Sequence, residues 1–375
     1  MSDENEGSHA GHHHSGHADP LDTPKPMREE RRPPEDDIAE IAPGVRRLQL
    51  PINFTGLGHV NCYILDDDRG AALIDPGLPG RAAWKALRAG LTKADLRVKD
   101  IHTVIVTHSH PDHFGQAGKL RREAGARVIT HKDFRLFWES DEDDEEPLEN
   151  VNSPADNVHL VNEEGKTLWG SKQRMTMPRH RRLMYSLMKT RVGQVFIPTP
   201  RPTDRVSDGN IIELAGREFS AVHTPGHTID HLCLHDPEEG LLFAGDHVLP
   251  TITPHISGMW HGPDPLRAFF DSLDKVASYD DVDLVLPAHG LTFDDVADRV
   301  GHIKVHHHER LDILREASTD LGPATVEQHM QRLFQKRSWG PMAESETFAH
   351  LEHLRYDGEA TISRSEHDEV IYTFN

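Results

Sequence analysis

Histidine and aspartate are concentrated in one short stretch, TVIVTHSHPDHFGQ, at residues 103–116. It carries His108, His110, Asp112 and His113 directly after a β-branched run. Imidazole and carboxylate are ligands that divalent ions such as zinc accept, and no thiolate is present here to indicate iron–sulfur chemistry. Side chains two apart on a loop that leaves a strand can point the same way. His108 and His110 can therefore bind one ion, while Asp112 and His113 turn towards a neighbouring one.

One such motif does not complete two metal sites, and three later segments supply the missing ligands. HTPGHT contributes His227, FAGDH contributes Asp246 and LPAHG contributes His289, each at the end of a strand-like run. Together the five histidines and two aspartates fit two ions that share one carboxylate, a layout that stabilises attacking and leaving oxygens. The sequence therefore predicts two divalent metal ions, with Zn²⁺ favoured and Mn²⁺ or Fe as alternatives.

The elements that must position these residues follow an order typical of sheets covered by helices. Short strand-like runs such as HVNCYILDD and GAALIDPG come first, and helical and strand-like runs then alternate as far as VLPAHG. This order predicts an α/β (α+β) fold with helices outside the sheets, and a catalytic domain over residues 38–300. A helical run, two more helices and a β-hairpin predict a small second domain at residues 301–375.

Two segments depart from this order. Residues 1–37 are rich in His, Pro and acidic residues with few aliphatics, which predicts a disordered tail. An insertion is predicted at about 139–200, where an acidic run precedes a stretch (166–203) with nine basic and no acidic side chains. These basic groups either form a solvated helix face or bind an anionic substrate. The candidate substrate contacts are Arg179, Arg181 and Arg182.

Composition narrows the classes of partner. The 375 residues carry a net charge of −21, which argues against tight, sequence-independent binding to nucleic acid. Cys62 and Cys233 cannot form a disulfide framework and are interpreted as buried thiols. No apolar segment is long enough to predict a membrane span, and no secretory signal is recognised at the N-terminus. We therefore expect a cytoplasmic protein with a small-molecule substrate.

The segments THSHPDH, HTPGHT, FAGDH and LPAHG, in this order, resemble the metallo-β-lactamase superfamily over about residues 40–300, apart from the insertion. The resemblance implies an αββα sandwich with a binuclear site at one edge. Cysteine is absent from the positions that the β-lactamase branch uses, so the glyoxalase-II-like hydrolytic branch is the nearer relative. The ligands implied for the first ion are His108, His110 and His227, and those for the second are Asp112, His113 and His289, with Asp246 bridging.

Four residues receive further roles. Asp75, in ALIDPG, is either a turn former or, by the resemblance, the residue that orients a metal-bound imidazole. His231 is either a packed polar residue or a donor to charge that develops during the reaction. Asp112 is expected to take up a proton as the reaction proceeds. His223, the first histidine of HTPGHT, is expected to be structural.

The C-terminal sequence, including HLEHLRYDGEA and the hairpin after it, resembles the winged-helix tail of lactamase-beta-2-like proteins, some of which are endoribonucleases. Residues 311–375 carry six Lys/Arg and twelve Asp/Glu, which makes a poor surface for phosphates. We interpret this tail as a winged-helix-like module for homo-oligomerisation or docking.

The predicted function is hydrolysis of an ester, thioester or lactone carbonyl of a small anionic substrate by a metal-bridging hydroxide. A metal-dependent endoribonuclease of the lactamase-beta-2-like type is the alternative. A metal-binding scaffold without activity is a third interpretation, which the complete set of seven ligands makes the least favoured.

Overall fold

The computed structural model describes residues 28–54, 56–136, 167–170, 198–258 and 262–375. Most of the predicted disordered tail and of the predicted insertion lies outside the described residues. The three candidate substrate contacts, Arg179, Arg181 and Arg182, are among those that lie outside.

The first sheet contains seven strands in chain order. Neighbours from β1 to β4 are antiparallel, and those from β4 to β7 are parallel. The strands are β1 (Ala39–Ala42), β2 (Val45–Phe54), β3 (Leu57–Asp67), β4 (Gly70–Ile74), β5 (Ile101–Ile105), β6 (Arg127–His131) and β7 (Asp204–Val206). Helix α1 (Arg81–Lys93) connects β4 to β5, and α2 (Pro111–Phe114) and α3 (Ala117–Ala124) connect β5 to β6.

The second sheet contains five strands in the order β12-β11-β10-β9-β8. They are β8 (Ile211–Leu214), β9 (Arg217–His223), β10 (Leu232–Asp236), β11 (Leu241–Gly245) and β12 (Leu284–Pro287). Helix α4 (Pro265–Ala277) lies in the connection between β11 and β12, which pair in parallel. Its first turn is capped by Asp264, whose side chain accepts a hydrogen bond from the backbone of Arg267.

Alternating apolar side chains pack the two sheets against each other. Tyr63 and Ile105 of the first sheet meet Phe219 and Phe243 of the second in one buried cluster. The opposite face of the first sheet is covered by α1, whose buried residues recur at helical spacing from Ala83 to Leu91. Helix α4 packs on the outer face of the second sheet. This arrangement confirms the predicted αββα sandwich.

The chain continues into a C-terminal module of helices and a three-stranded antiparallel sheet. Its elements are α5 (Val296–Leu321), β13 (Ala324–Thr325), α6 (Val326–Leu333), α7 (Pro341–Tyr356), β14 (Ala360–Arg364) and β15 (Val370–Phe374). The predicted boundary at residues 300 and 301 falls inside α5. Buried residues of α5, α7 and β15 share one continuous cluster with α4 and the second sheet. In the part of the chain described, no helix combines the length and hydropathy needed to cross a bilayer.

Candidate metal centre

The predicted ligands lie at one edge of the sandwich, on loops that follow β5, β9, β11 and β12. Local sequence explains the sharpest of these turns. His110 has an extended backbone, with φ −78° and ψ 143°, and Pro111 begins α2 at the position where a helix has no use for an N–H group. The four-residue helix then turns Asp112 and His113 inwards, and both side chains are buried.

The first group comprises His108, His110, His227 and Asp246, each of which offers a ligand atom within 4.8 Å of the others. Nδ1 of His110 lies 2.9 Å from Nε2 of His108 and 3.0 Å from Nε2 of His227. Oδ2 of Asp246 lies 3.5 Å from Nε2 of His227 and 3.8 Å from Nε2 of His108. Three imidazole nitrogens and one carboxylate therefore surround a common point.

The second group comprises Asp112, His113 and His289. Oδ2 of Asp112 lies 3.7 Å from Nε2 of His113 and 3.6 Å from Nε2 of His289. Asp246 reaches this group too, because its Oδ2 lies 3.5 Å from Nε2 of His113 and its Oδ1 lies 3.2 Å from Nε2 of His289. The carboxylate of Asp246 thus stands between the two groups.

Hydrogen bonds on the far side of the rings fix which nitrogen faces the centre. Nδ1 of His227 donates to the carbonyl of His255 at 2.8 Å, and Nδ1 of His289 donates to the carbonyl of His59 at 2.7 Å. Because a carbonyl can only accept, Nδ1 carries the hydrogen in both rings. In the neutral imidazole Nε2 then presents a lone pair to the centre, as a metal ligand must.

Asp75 orients His113 and, through Thr107, His108. Its Oδ2 accepts from Nδ1 of His113 and from Oγ1 of Thr107, each at 2.8 Å, and its Oδ1 accepts from the backbone N–H of Thr107 at 2.9 Å. Since the Thr107 hydroxyl donates to Asp75, its oxygen accepts from Nδ1 of His108 at 3.0 Å. His113 and His108 therefore also direct Nε2 inwards.

The electrostatics of the cluster fit bound cations. Nε2 of His113, Nε2 of His289 and Oδ1 of Asp246 are buried, and among the described residues none of these atoms makes a hydrogen bond with acceptable angles, although two of them lie 3.2 Å apart. Burial opposes ionisation of Asp246, yet the imidazoles of His289 and His113 hold the pKa of its carboxyl well below the usual range. Burial also opposes protonation of His113, but Asp246, Asp75 and Asp112 hold its pKa well above the usual range. Converging lone pairs around buried carboxylates create a strong demand for positive charge, which divalent ions satisfy.

The comparisons with known proteins agree with this geometry. The family model of the metallo-beta-lactamase superfamily matches residues 55–289, which include all seven predicted ligands. The chain belongs to this superfamily. Its resemblance to the superfamily is thereby confirmed, and the described fold matches that of solved relatives. A metallo-beta-lactamase family protein from Thermus thermophilus is 28% identical, with a TM-score of 0.66, over 90% of this chain and 100% of that one.

Some of the curated relatives that the chain matches have names that describe an activity. The hydroxyacylglutathione hydrolase GloC of Haemophilus influenzae is 28% identical over 50% of this chain and 65% of its own length. An atrochrysone carboxyl ACP thioesterase of Aspergillus novofumigatus is 32% identical over 75% of this chain and 66% of its own. An uncharacterized protein of Aquifex aeolicus is 29% identical over 50% of this chain and 64% of its own. The chain spans less than two thirds of the length of the first curated relatives that it matches.

His231, a predicted catalytic residue, lies behind the predicted ligand Asp246. Its side chain is fully buried, its Nε2 accepts from the backbone N–H of Asp246 at 3.0 Å, and its Nδ1 donates to Oγ1 of Thr224 at 2.7 Å. Gly245 permits this contact, because a Cβ added there would lie 2.6 Å from Nε2 of His231. Both ring nitrogens are therefore engaged by the fold.

A third group of potential ligands, His131, Asp133 and His223, shares no residue with the two groups of predicted ligands. The rings of His131 and His223 stack at 3.8 Å with an interplanar angle of 11°. Parallel rings direct their in-plane lone pairs side by side instead of towards one point. In addition, Nε2 of His223 donates to the carbonyl of Ile229 at 2.7 Å. This group is therefore a packed pair of imidazoles with no shared coordination point.

Several residues that orient the predicted ligands carry little or no signal in the sequence. Thr107 could have been suspected, since its hydroxyl precedes His108 at the end of a strand. The carbonyls of His59 and His255 carry no sequence signal, because every residue has one. Ser109 donates to Oδ1 of the buried Asp230 at 3.0 Å and joins two ligand loops. Burial raises the pKa of Asp230 to about 6.

Proposed function

We propose that the protein is a binuclear metal-dependent hydrolase that cleaves an ester, thioester or lactone of a small anionic substrate. The observation that supports this proposal is the position of Asp246 between the two ligand groups. We assign one ion to His108, His110 and His227 and the other to Asp112, His113 and His289. Asp246 would be shared between them.

Bound divalent ions, with Zn²⁺ favoured and Mn²⁺ or Fe as alternatives, would polarise the scissile carbonyl and supply a nucleophilic water at neutral pH. The residues of the chain set the geometry. Asp75 and the carbonyls of His59 and His255 hold the imidazoles in one tautomer and one orientation. Asp112, the second residue of α2, would take up the proton of the attacking water and pass it to the leaving group.

The contacts of His231 favour the alternative of a packed polar residue over that of a catalytic donor. Burial lowers its pKa well below the usual range, with His247 and His227 contributing, so its ring stays neutral. Its Nε2 lone pair is occupied by the N–H of Asp246, and its Nδ1–H by Thr224. We propose that His231 is a positioning residue for Asp246 and does not touch the substrate.

The names of two relatives support a proposal for the substrate class. One is called a hydroxyacylglutathione hydrolase and another an ACP thioesterase, and both names denote thioester cleavage. We propose a thioester as the first class to test, followed by esters and lactones. The anionic part of the substrate would be bound by Arg179, Arg181 and Arg182.

The endoribonuclease alternative loses support from the way α7 packs. In a winged-helix-like interpretation of the C-terminal module, α7 is the third helix, the one that would enter a nucleic-acid groove. Nine of its sixteen residues are buried, including Glu344, Thr347 and His350. Only Met342 and Tyr356 of this helix are exposed, which leaves little surface to read a nucleic acid. Homo-oligomerisation through this module and a cytoplasmic location stay predictions.

Turnover of a substrate panel tests the proposal. The metal-loaded protein is assayed with acyl-glutathione and acyl-pantetheine thioesters, aryl esters, lactones and single-stranded RNA. We expect thioester hydrolysis that chelator abolishes and added metal restores. Cleavage of RNA with no hydrolysis of any acyl compound would replace the proposal with the ribonuclease alternative.

A further inference from the structure

The loop that follows β11 contacts the metal centre twice, at its start and again nine residues later. Asp246 lies just beyond the end of β11, and nine residues later the carbonyl of His255 accepts from Nδ1 of His227 at 2.8 Å. The orientation of His227 therefore depends on where residues 255–258 are held. The ring of His255 also lies close enough to His110 to contribute to lowering the pKa of that imidazole, which burial lowers most.

Two separate groups of contacts hold this loop. Its first half is held by Glu30, which accepts from the backbone of Thr251 at 2.8 Å and of Ile252 at 3.0 Å. Arg299 of α5 adds hydrogen bonds to the carbonyls of Leu249 and Ile252. None of these contacts reaches His255, so its position must be fixed from elsewhere.

Helix α7 of the C-terminal module holds the second half. The backbone N–H of Gly258 donates to Oγ of Ser345 at 2.9 Å and to the carbonyl of the same serine at 3.1 Å. Glu346 is the next residue, and its Oε2 lies 3.3 Å from Nδ1 of His255. The other oxygen of Glu346 accepts from Arg310 of α5 at 2.7 Å.

The side chain of Glu346 is charged although only 13% of it is exposed. Burial opposes ionisation, but the contacts with His255 and Arg310 hold its pKa well below the usual range. Hydrogen bonds to a charged group are stronger than those between neutral groups, so the contact holds His255 more firmly than a neutral pair would. The C-terminal module thus has a direct path to the metal centre: Arg310, Glu346, His255 and His227.

We propose that Glu346 is a positioning residue for the metal centre, acting through His255 on His227. This inference rests on the proposed metal-binding function, because it assigns His227 as a ligand. Groups that orient metal ligands typically affect metal affinity by about 10- to 100-fold. Glu346 acts one residue further out, so the expected loss is at the lower end of that range.

The test compares Glu346→Gln with a matched control on the same helix, Glu352→Gln. Glu352 is also hydrogen-bonded and ion-paired, to Tyr372 and Arg355, but it does not contact residues 255–258. Glu346→Gln removes the negative charge and one of the two acceptor oxygens, so it weakens the contacts with His255 and Arg310. His255→Ala, which removes the ring and keeps the carbonyl, is a second variant in case the first does not fold.

Two readouts separate positioning from general stability. Zinc affinity is measured by competition with a chromophoric chelator, and amide hydrogen exchange of Gly258 is measured in the metal-free protein. We expect Glu346→Gln to weaken the binding of one of the two ions about tenfold and to accelerate exchange at Gly258. His255→Ala should do the same, and Glu352→Gln should leave both readouts near wild type.

The outcomes distinguish the inference from the function on which it rests. If the wild-type protein binds no metal, the proposed function fails. If the wild type binds two ions and both Glu346→Gln and His255→Ala bind them with unchanged affinity, the positioning role is overturned and the metal-binding function stands. An equal loss of affinity in Glu352→Gln would also overturn the inference, since the effect would then come from the module as a whole.

Discussion

Oδ2 of Asp75 lies 2.8 Å from Nδ1 of His113, and both side chains are buried. The same carboxylate holds Thr107 by its hydroxyl and its N–H, and Thr107 in turn holds His108. One residue at the end of β4 therefore orients ligands assigned to both ions. Its backbone lies in the left-handed region, with φ 54°, which favours Asp or Asn over most other residues.

Asp75→Asn tests this arrangement without disturbing the backbone, because asparagine accepts a positive φ as readily as aspartate does. We expect zinc affinity to fall by about 10- to 100-fold, since an amide is a weaker acceptor for His113 than a carboxylate. Chelator competition measures the affinity. Asp95→Asn, at another aspartate with positive φ, is the control. Equal zinc affinities in the wild type and both variants would show that Asp75 does not influence metal binding.

The protein should contain about two equivalents of zinc, manganese or iron per chain, because seven ligands are too many for one tetrahedral ion. Elemental analysis of protein purified without chelator measures the stoichiometry.

Removal of the metal should lower the thermal midpoint of unfolding, since the buried carboxylates of Asp246 and Asp112 then lose their counter-ions. A metal content of one equivalent per chain that does not increase when metal is added would contradict the binuclear assignment.

Asp246→Ala should abolish hydrolysis, whereas His223→Ala should retain most of it. The first change removes the carboxylate that lies between the two ligand groups. The second removes a ring that stacks on His131 and bonds Ile229 outside those groups. The measurements are initial rates of hydrolysis and metal content, made on folded protein of each variant. A similar loss of activity in both variants would show that His223 belongs to the metal centre.

The positions of the ligand loops could be predicted from the sequence, because each loop combines two strong local signals. An apolar strand and a polar loop are both visible in the residues themselves, so His108, Asp246 and His289 could be predicted. The partners that orient the rings could not. His59 and His289 are 230 positions apart, and their contact runs through a backbone carbonyl. Such contacts depend on the packing of the two sheets, which no local pattern specifies.

The C-terminal module shows the same limit on a larger scale. Its helices could be predicted from their periodicity, and the capping box of α6, made by Thr325 and Gln328, is a local feature of the chain. The burial of α7 against residues 255–258 is a tertiary property. It weighs against a helix that reads nucleic acid, whereas the sequence offered only the acidic composition of residues 311–375 as an argument.

Changing Arg179, Arg181 and Arg182 together to alanine should raise KM for an anionic thioester by about tenfold. Three cations each contribute a modest attraction to a substrate carboxylate or phosphate. The effect should shrink as salt is added, because charges in contact with solvent are screened beyond roughly 10 Å at ~0.1 M. Steady-state kinetics at low and high salt, with metal content as the control, measure it. Unchanged kinetics would leave these arginines as charges that only balance the acidic run.

The stacked pair His131 and His223 should make the folded state sensitive to acid. Burial lowers the pKa of His131 to about 3, with His223, Lys132 and Arg205 acting in the same direction and Asp208 opposing them. The unfolded chain has a pKa of about 6.5 at this residue and binds the proton first as the pH falls. The contribution of neutral His131 to the free energy of unfolding is therefore fully present above about pH 6.5. It is lost progressively as the pH falls towards the pKa of His131 in the folded state.

From about pH 7.5 to about pH 5.5, His131 should cost the folded state about 1 kcal/mol. Denaturant unfolding of chelator-treated protein at both values gives the change in the free energy of unfolding. Other buried histidines add to that change, so the quantity of interest is its difference between variants. His131→Gln should reduce the change by about 1 kcal/mol, because glutamine binds no proton. His302→Gln is the control, since His302 is 67% exposed on α5 and its ring remains in contact with solvent. If His131→Gln and His302→Gln show the same pH dependence as the wild type, protonation of the stacked pair does not set the acid stability of the fold.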